Sequence, residues 1–291
     1  MTDKKNFFGH LALWGTAFIW GTSFVIMKEA LDSIGTMWVL ALRFIIAAAL
    51  LLFAARKRLK KLGRARLRSG IILGICLSAA YIFQTYGLKY TTPGKNAFLS
   101  ATYCVYVPFM LWGIYKRRPG GANIIAALMC LCGVGLVSVN GATAINIGDA
   151  LTLVCGLFYA LQIIMTERFI GDCDAISLTG IEFGTAAVIC LIGALIFEPV
   201  PTGLSLETWG SLAYLGVMCT AVCFFLQTWG MSYTASSTAA VIMTFESVFA
   251  IIISVIFYGE PVTLKLACGF VLIIVSVIIS ERAPLKFKKK A

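Results

Sequence analysis

The chain has 291 residues, of which 60% are hydrophobic and 13% charged, and its mean hydropathy is +0.92. A soluble protein of this length needs more charge to cover its surface, so the composition excludes an ordinary water-soluble domain and predicts an all-α integral membrane protein. The net charge of +11 does not indicate nucleic-acid binding, because the basic residues form short clusters between apolar runs rather than one basic face.

Ten segments have the length of about 20 mostly apolar residues that a membrane-spanning helix needs. In chain order, these predicted helices are 8–27, 34–55, 70–90, 93–114, 121–140, 147–167, 176–197, 208–231, 236–258 and 261–280. The longest stretch between them is the basic loop 56–69, which is too short for a soluble catalytic domain. No GxxxxGK[ST] phosphate loop occurs either, so we expect neither an ATP-driven pump nor an enzyme.

Lysine and arginine predict the topology. Most of the 24 lysine and arginine residues, including the tail Lys288–Lys290, lie on the side of the membrane where the chain begins. The positive-inside rule then places both termini in the cytoplasm of a multi-pass plasma-membrane protein, with the tail near anionic lipid. His10 is the only histidine and no CxxC pair occurs, so we expect no metal site and no cofactor.

Two segments of the chain repeat each other. The sequence QTYGLKYT at 84–91 resembles QTWGMSYT at 227–234, so that Gln84 aligns with Gln227. The same offset aligns Tyr103 with Glu246. We therefore predict two repeats, 1–140 and 141–291, the second of which ends in the basic tail.

Each predicted repeat contains five helices, and this odd number sets their relative orientation. The second repeat has to enter the membrane from the opposite side, which gives an inverted repeat with a pseudo-twofold axis in the membrane plane. Such folds hold the substrate near the bilayer midplane, between the halves, and open it to either side in turn. Alternating access is thus the predicted mechanism, and because one chain holds both repeats we expect a monomer.

Several local patterns resemble one family. They are Trp20–Phe24 (WGTSF), Leu42–Phe44 (LRF), Tyr90–Leu99 (YTTPGKNAFL), Phe245–Phe249 (FESVF) and Tyr258–Glu260 (YGE). In this order and in a ten-helix frame, they resemble the EamA type of the drug/metabolite transporter superfamily. The resemblance implies a central cavity lined by helices 1, 3, 4, 6, 8 and 9, and export of a small metabolite such as an amino acid. The chain departs from the family at Ser247, where proline often follows the glutamate and breaks the helix.

Glu246 is the first candidate for the transport chemistry. It lies about ten residues into predicted helix 9 and hence near mid-membrane, at about 1.5 Å per residue. A carboxyl group at that depth is costly and usually functional. It could carry a coupling proton or bind an amine of the substrate; the alternative is an interhelical hydrogen bond that only stabilises packing.

Arg43 and Glu182 occupy equivalent positions of the two repeats, on predicted helices 2 and 7. They could form an ion pair between the helices or act as separate gates. Arg43 could instead bind a substrate carboxylate, which suits a guanidinium group. The alternative for both is an anchoring role at nearby interfaces. Further gate candidates, or ordinary loop charges, lie towards the outer face: Lys28, Glu29, Asp32 and Lys95.

The remaining candidates are polar and aromatic residues at helical spacing, which places them on common helix faces. They are Trp20 on helix 1, Tyr81 and Gln84 on helix 3, Asn96, Ser100 and Tyr103 on helix 4, Tyr159 on helix 6, and Gln227, the repeat partner of Gln84. Polar faces avoid lipid, so we expect them to line a cavity for a small amphiphile. For any one of them, packing between helices is the alternative.

These patterns leave three functions open besides an intramembrane enzyme, which would need a catalytic pair in one pocket, such as Ser with His or two acids. The first is a secondary transporter that exports an amino acid or a similar metabolite, with proton coupling as an option. The second is an organic-cation or drug exporter in which Glu246 is the counter-charge. The third is a sensor or assembly subunit without transport activity, which would have a packed centre and no cavity.

Overall fold

The computed structural model describes residues 2–59, 63–116, 118–138, 146–170, 174–234, 236–259 and 263–281. In these residues all regular structure is helical, which confirms the all-α prediction. Eight helical stretches there are long and apolar enough to cross a membrane. Two shorter apolar helices, Gly121–Gly133 and Ala267–Ser276, lie within the fifth and tenth predicted spans. The repeat boundary at 140/141 and the basic tail fall outside the described residues.

The described residues form thirteen α-helices and one π-helical turn. The bounds are α1 Thr2–Ser33, α2 Thr36–Leu59, α3 Arg64–Lys89, α4 Pro93–Ser100, α5 Tyr103–Tyr115, α6 Gly121–Ser138, α7 Ile147–Phe169, α8 Ala175–Phe197, α9 Leu206–Gly216, the π turn Val217–Val222, α10 Cys223–Met231, α11 Ser236–Met243, α12 Phe245–Tyr258 and α13 Leu264–Glu281. The predicted loop 56–69 is mostly helical, because its basic residues extend α2 and begin α3.

Two predicted spans, 93–114 and 236–258, are interrupted where the sequence suggested continuous helices. The first breaks at Ala101 and Thr102, between α4 and α5, and the second at Thr244, between α11 and α12. The Thr244 hydroxyl donates to the Ala240 carbonyl at 2.7 Å, a bond of the kind by which threonine distorts a helix. Ala101 and Thr244 align at the offset that relates Gln84 to Gln227, so the breaks follow the sequence repeat.

Ser247 occupies the position where the related family often has proline, and the helix is broken without it. Both the backbone nitrogen and the hydroxyl of Ser247 donate to the Thr244 carbonyl, at 3.1 and 2.7 Å. The break therefore rests on local hydrogen bonds of Thr244 and Ser247 rather than on a missing amide hydrogen.

Helices from the two halves of the chain interleave. α1 packs against α10 and α12, α2 against α8, α3 against α7 and α8, and α6 against α13. Outward-facing positions are apolar, as at Phe53, Phe197 and Ile256, whose exposed fractions are 68%, 76% and 69%. Polar side chains such as Asn96 and Glu182 are fully buried. This arrangement, apolar outside and polar inside, is the one a lipid environment favours.

Two glycine pairs allow close helix crossings at opposite ends of the bundle. At the end where α1 begins (the near end), Gly9 of α1 meets Gly230 of α10. At the end where α1 terminates (the far end), Gly87 of α3 meets Gly148 of α7. A Cβ atom on Gly230 would lie 2.8 Å from the Gly9 oxygen, and one on Gly148 would lie 2.7 Å from the Gly87 oxygen. Only glycine permits these approaches without displacing the backbone.

The N-terminus of α2 is capped by a residue from the other half of the chain. Both carboxylate oxygens of Glu198 accept from the backbone nitrogen of Met37, at 3.1 and 3.0 Å, and Oε2 also accepts from that of Trp38 at 3.2 Å. A carboxylate at a helix N-terminus satisfies free amides and complements the helix dipole. The contact joins the end of α8 to the start of α2.

Candidate functional site

A cavity lies in the centre of the bundle, enclosed mainly by α1, α3, α7, α10 and the broken spans α4–α5 and α11–α12. The space between the side chains is about 570 Å³, but the centre of a water molecule can reach only about 30 Å³ of it. That is room for a few waters at most. The cavity is therefore small in this structure.

Eight of the nine predicted substrate residues line this cavity: Trp20, Tyr81, Gln84, Asn96, Tyr103, Tyr159, Gln227 and Glu246. The ninth, Ser100, does not. Its hydroxyl accepts from Gln84 Nε2 at 3.0 Å and donates to the Asn96 carbonyl at 2.8 Å. Ser100 therefore lies behind the wall and orients Gln84, because its short side chain bonds to its own helix instead of reaching inward.

Glu246 and Tyr103 meet at the cavity wall. The Tyr103 hydroxyl donates to Glu246 Oε1 at 3.2 Å, and Tyr103 and Glu246 are 3% and 5% exposed. Tyr103 is the first residue of α5 and Glu246 the second of α12, so each immediately follows a helix break. The positive end of the α12 dipole lies at Glu246 and favours a carboxylate there.

Gln84 connects three helices at the cavity. Its Oε1 accepts from the Tyr159 hydroxyl of α7 at 2.8 Å, while its Nε2 donates to Ser100 of α4. Asn96 Nδ2 donates to the Gln84 carbonyl at 3.2 Å and to the Thr152 hydroxyl at 2.8 Å. This network fixes which atoms of the two amides face the cavity.

Arg43 and Glu182 do not form the ion pair that was one sequence-based expectation; their side chains have separate partners. Arg43 Nε donates to the Thr220 hydroxyl at 3.0 Å, and its guanidinium carbon lies 4.5 Å from the centre of the Tyr81 ring. The guanidinium is thus held by the π turn and by an aromatic face. Arg43 lines the cavity, so helix 2 contributes to it as well.

Glu182 is fully buried and is not among the residues that line the cavity. Its Oε1 accepts from Gln162 Nε2 at 2.8 Å. Gln162 does line the cavity, and the sequence-based predictions omitted it. The sequence could have indicated Gln162 as a lining residue, because it follows Tyr159 by three residues and shares its helix face. The apolar wall residues Phe24, Met27, Phe224 and Met243 were also missed, since their type does not distinguish them from packing residues.

The hydrogen-bond donors and acceptors of the cavity wall differ in whether they have partners within the protein. The Trp20 indole donates to the Cys219 carbonyl at 2.8 Å, and the hydroxyls of Tyr103 and Tyr159 also donate within the protein. By contrast, three buried amide oxygens of the lining have no donor in the described part of the chain. They are Asn96 Oδ1, Gln162 Oε1 and Gln227 Oε1. The cavity can therefore accept hydrogen bonds from a ligand rich in N–H groups.

The far end of the bundle is held by charged residues. Lys95 Nζ lies 2.8 Å from Asp149 Oδ2, with side-chain exposures of 21% and 3%. Lys28 Nζ donates to the carbonyls of Leu88 at 2.7 Å and Thr91 at 3.2 Å. These contacts connect α1, the α3–α4 turn, α4 and α7 above the cavity. Within the described ranges, no cluster of three His, Cys, Asp or Glu could hold a metal ion.

Comparison with known proteins identifies the family. The model of the EamA-like transporter family matches residues 7–139 and again 146–281. An uncharacterized transporter of Archaeoglobus fulgidus is 32% identical over 277 residues, covering 94% of this chain and 86% of that protein. The uncharacterized transporter YoaV of Bacillus subtilis is 24% identical, covering 90% and 93%.

A solved crystal structure of a protein shares the fold, with a TM-score of 0.73 at 18% identity over 94% of this chain and 96% of the other. The family model matches the chain in two segments, and the relatives are named as transporters. Both findings, together with the apolar helices, agree with the resemblance of the sequence motifs to this family. The chain belongs to the EamA-like transporter family and is a multi-pass membrane transporter.

Proposed function

We propose that this protein is a secondary active transporter that exports an amino acid or a similar small amphiphile by alternating access, with Glu246 as the substrate-binding or proton-carrying acid. The observation that carries the proposal is the Tyr103–Glu246 hydrogen bond at the central cavity. It joins the two halves of the chain at the place where an inverted-repeat transporter binds its substrate.

Helix neighbours support a ten-helix bundle of two inverted repeats. An exchange of the halves pairs α1 with α7, α2 with α8, α3 with α9–α10, and α4–α5 with α11–α12. Under this exchange, the contact of α3 with α7 becomes that of α10 with α1, and the contact of α5 with α7 becomes that of α12 with α1. Each of these contacts occurs. Lys116 and Gly259, which align at the offset of Gln84 and Gln227, also share the left-handed backbone, with φ of 56° and 62°.

The glycine crossings support alternating access. Gly9 aligns with Gly148 at the offset that relates Arg43 to Glu182, and Gly87 aligns with Gly230 at the offset that relates Gln84 to Gln227. The two crossings are therefore equivalent under the repeat. One lies at the near end of the bundle and the other at the far end. Opening one crossing while the other stays closed would expose the cavity to one side at a time.

The cavity chemistry supports a zwitterionic substrate. Arg43 can hold a carboxylate, and Glu246 with the amide oxygens of Asn96 and Gln227 can accept from an ammonium group. The aromatic faces of Trp20 and Tyr81 suit an apolar or cationic remainder. The positive-inside rule, applied to the near end, supports a plasma-membrane protein with cytoplasmic termini.

Transport into proteoliposomes tests this proposal. Uptake of radiolabelled amino acids and organic cations would be measured with and without a pH gradient for the wild type, Glu246→Gln and the control Glu207→Gln, which changes an exposed acid. We expect gradient-driven uptake of an amino acid that falls at least tenfold in Glu246→Gln and is unchanged in Glu207→Gln. Equal uptake by all three proteins would contradict the role of Glu246.

An organic-cation exporter is the second candidate, favoured by the aromatic wall around a single carboxyl group. In that case, cationic dyes would be transported and neutral amino acids would not, and Arg43→Gln would improve rather than abolish uptake because it removes a repelling charge. A sensor or assembly subunit without transport would need no cavity, so the cavity counts against it.

A further inference from the structure

We propose that Glu182 is a second proton-binding site, paired with Gln162 and separate from the site at Glu246. Glu182 lies on α8 with no exposed surface, and no lysine or arginine nitrogen comes within 4.0 Å of its carboxyl oxygens in the described structure. A buried carboxylate with no cation is unfavourable in the membrane interior, and such a group remains neutral by binding a proton.

The hydrogen bonds around Glu182 indicate where the proton lies. Gln162 Nε2 donates to Glu182 Oε1 at 2.8 Å, which fixes one edge of the pair. The other oxygen of each group, Glu182 Oε2 and Gln162 Oε1, is buried and has no donor in the described structure. A proton on Oε2 provides the donor that both oxygens lack, because a carboxylic acid and a primary amide can exchange two hydrogen bonds. One proton thus satisfies both buried acceptors of the pair.

Neighbouring helices offer no other partner that would stabilise the ionised form. Helices α2, α3 and α10 pack against α8, and their buried titratable or charged side chains include Arg43 of α2, Cys76 and Tyr81 of α3, and Cys223 of α10. Arg43 is held by Thr220 and Tyr81 instead. Cys76 is a buried free thiol, and a thiol supplies no positive charge.

Gln162 connects this proton to the cavity. Its side chain lines the cavity, while Glu182 lies behind it. When a ligand draws the Gln162 amide inward and cavity water takes its place, that water can accept the proton from Oε2 and solvate the carboxylate that remains, whereas an apolar side chain in that place could not. Proton movement during transport would therefore involve two carboxyl groups, one in the wall and one behind it. This last step rests on the proposed transport function, whereas the protonation of Glu182 does not.

Infrared spectroscopy of the purified protein in liposomes at neutral pH tests whether Glu182 is protonated. The experiment needs no substrate, so failure of this proposal is distinguishable from failure of the proposed transport function. The readout is the C=O stretch of protonated carboxylic acids, which is separate from that of carboxylates. We expect one component to disappear in Glu182→Gln and to persist in Glu246→Gln and in the exposed-acid control Glu207→Gln. Spectra that are identical in the wild type and Glu182→Gln would overturn the proposal.

A second variant keeps the test valid if Glu182→Gln fails to fold. Gln162→Leu leaves the acid in place but removes its amide partner. We expect the same component to remain and to move to higher frequency, the position of a carboxylic acid without hydrogen bonds. An unshifted component in Gln162→Leu, or its replacement by a carboxylate band, would show that Glu182 does not share a proton with Gln162.

Discussion

Tyr103 and Glu246, which donate and accept a 3.2 Å hydrogen bond, occupy equivalent positions in the two halves of the chain. In the proposed inverted repeat, residues that align in this way can touch only close to the pseudo-twofold axis. The cavity wall at this point therefore belongs equally to both halves, although one half supplies a phenol and the other a carboxyl group.

This relationship predicts that the two side chains can be exchanged. Tyr103→Glu alone places two acids together, and Glu246→Tyr alone removes the acid, so we expect each to reduce transport at least tenfold. The double variant restores one phenol and one carboxyl group near the axis and should recover a substantial part of the activity. Proteoliposome uptake of the identified substrate measures this. A double variant no better than the singles would show that the acid must be on α12.

Lys95 and Asp149 are expected to stabilise the closed far end. Lys95→Met removes the ion pair but leaves the capping interactions of Asp149 with Asn146 intact. Loss of a partly buried pair should increase the deuterium exchange of amides in 88–96 severalfold, corresponding to about 1 kcal/mol. Hydrogen–deuterium exchange with mass spectrometry measures it. Arg58→Met, which removes the exposed pair with Asp174, is the matched control and should leave this segment unchanged.

The glycine crossings should not tolerate a methyl group. In Gly148→Ala and Gly230→Ala, the new Cβ atom would approach a backbone oxygen at 2.7 and 2.8 Å, which forces the helices apart. We expect a cost of about 1–3 kcal/mol and a lower melting temperature in detergent. Gly15→Ala is the control, since no atom from a neighbouring part of the described chain lies within 4 Å of its Cβ position, and it should be neutral or stabilising. Equal melting temperatures for all three variants would contradict close packing at the crossings.

Proline at position 247 should be tolerated, because it would lie in the first turn of α12, just after the break. Ser247→Pro loses one backbone and one side-chain hydrogen bond to Thr244, so we expect a cost of about 1 kcal/mol and retained transport. Ser254→Pro, in the middle of the same helix, should cost about 3 kcal/mol or more. Thermal unfolding of both variants measures the difference, and similar losses would mean that the break extends further along α12.

Much of the fold and part of the cavity followed from the sequence. The predicted helices were recognisable because a membrane requires about 20 apolar residues, whatever they pack against. The alignment of Gln84 with Gln227 indicated the repeat, and the spacing of Asn96 and Tyr103 indicated a common face. Inward polar faces are predictable because lipid excludes them.

The remaining features depend on contacts that a sequence does not display. The break at Thr244 comes from a hydroxyl that bonds to its own helix, and threonine elsewhere in the chain does so without a break. The offset made an ion pair of Arg43 with Glu182 one of several alternatives, but the sequence does not show that Arg43 Nε donates to Thr220 of the π turn. Ser100 shares a helix face with Asn96, but its short side chain bonds behind the wall.

The cap that Glu198 provides for α2 has a consequence for how the chain matures. α2 is synthesised long before the end of α8, and until Glu198 arrives the amides of Met37 and Trp38 have no carboxylate partner. The first half should therefore be loosely assembled on leaving the translocon and become fixed only when the second half is inserted. Made alone, it should be a substrate for membrane proteases, whereas co-synthesis of the two halves as separate chains should protect both.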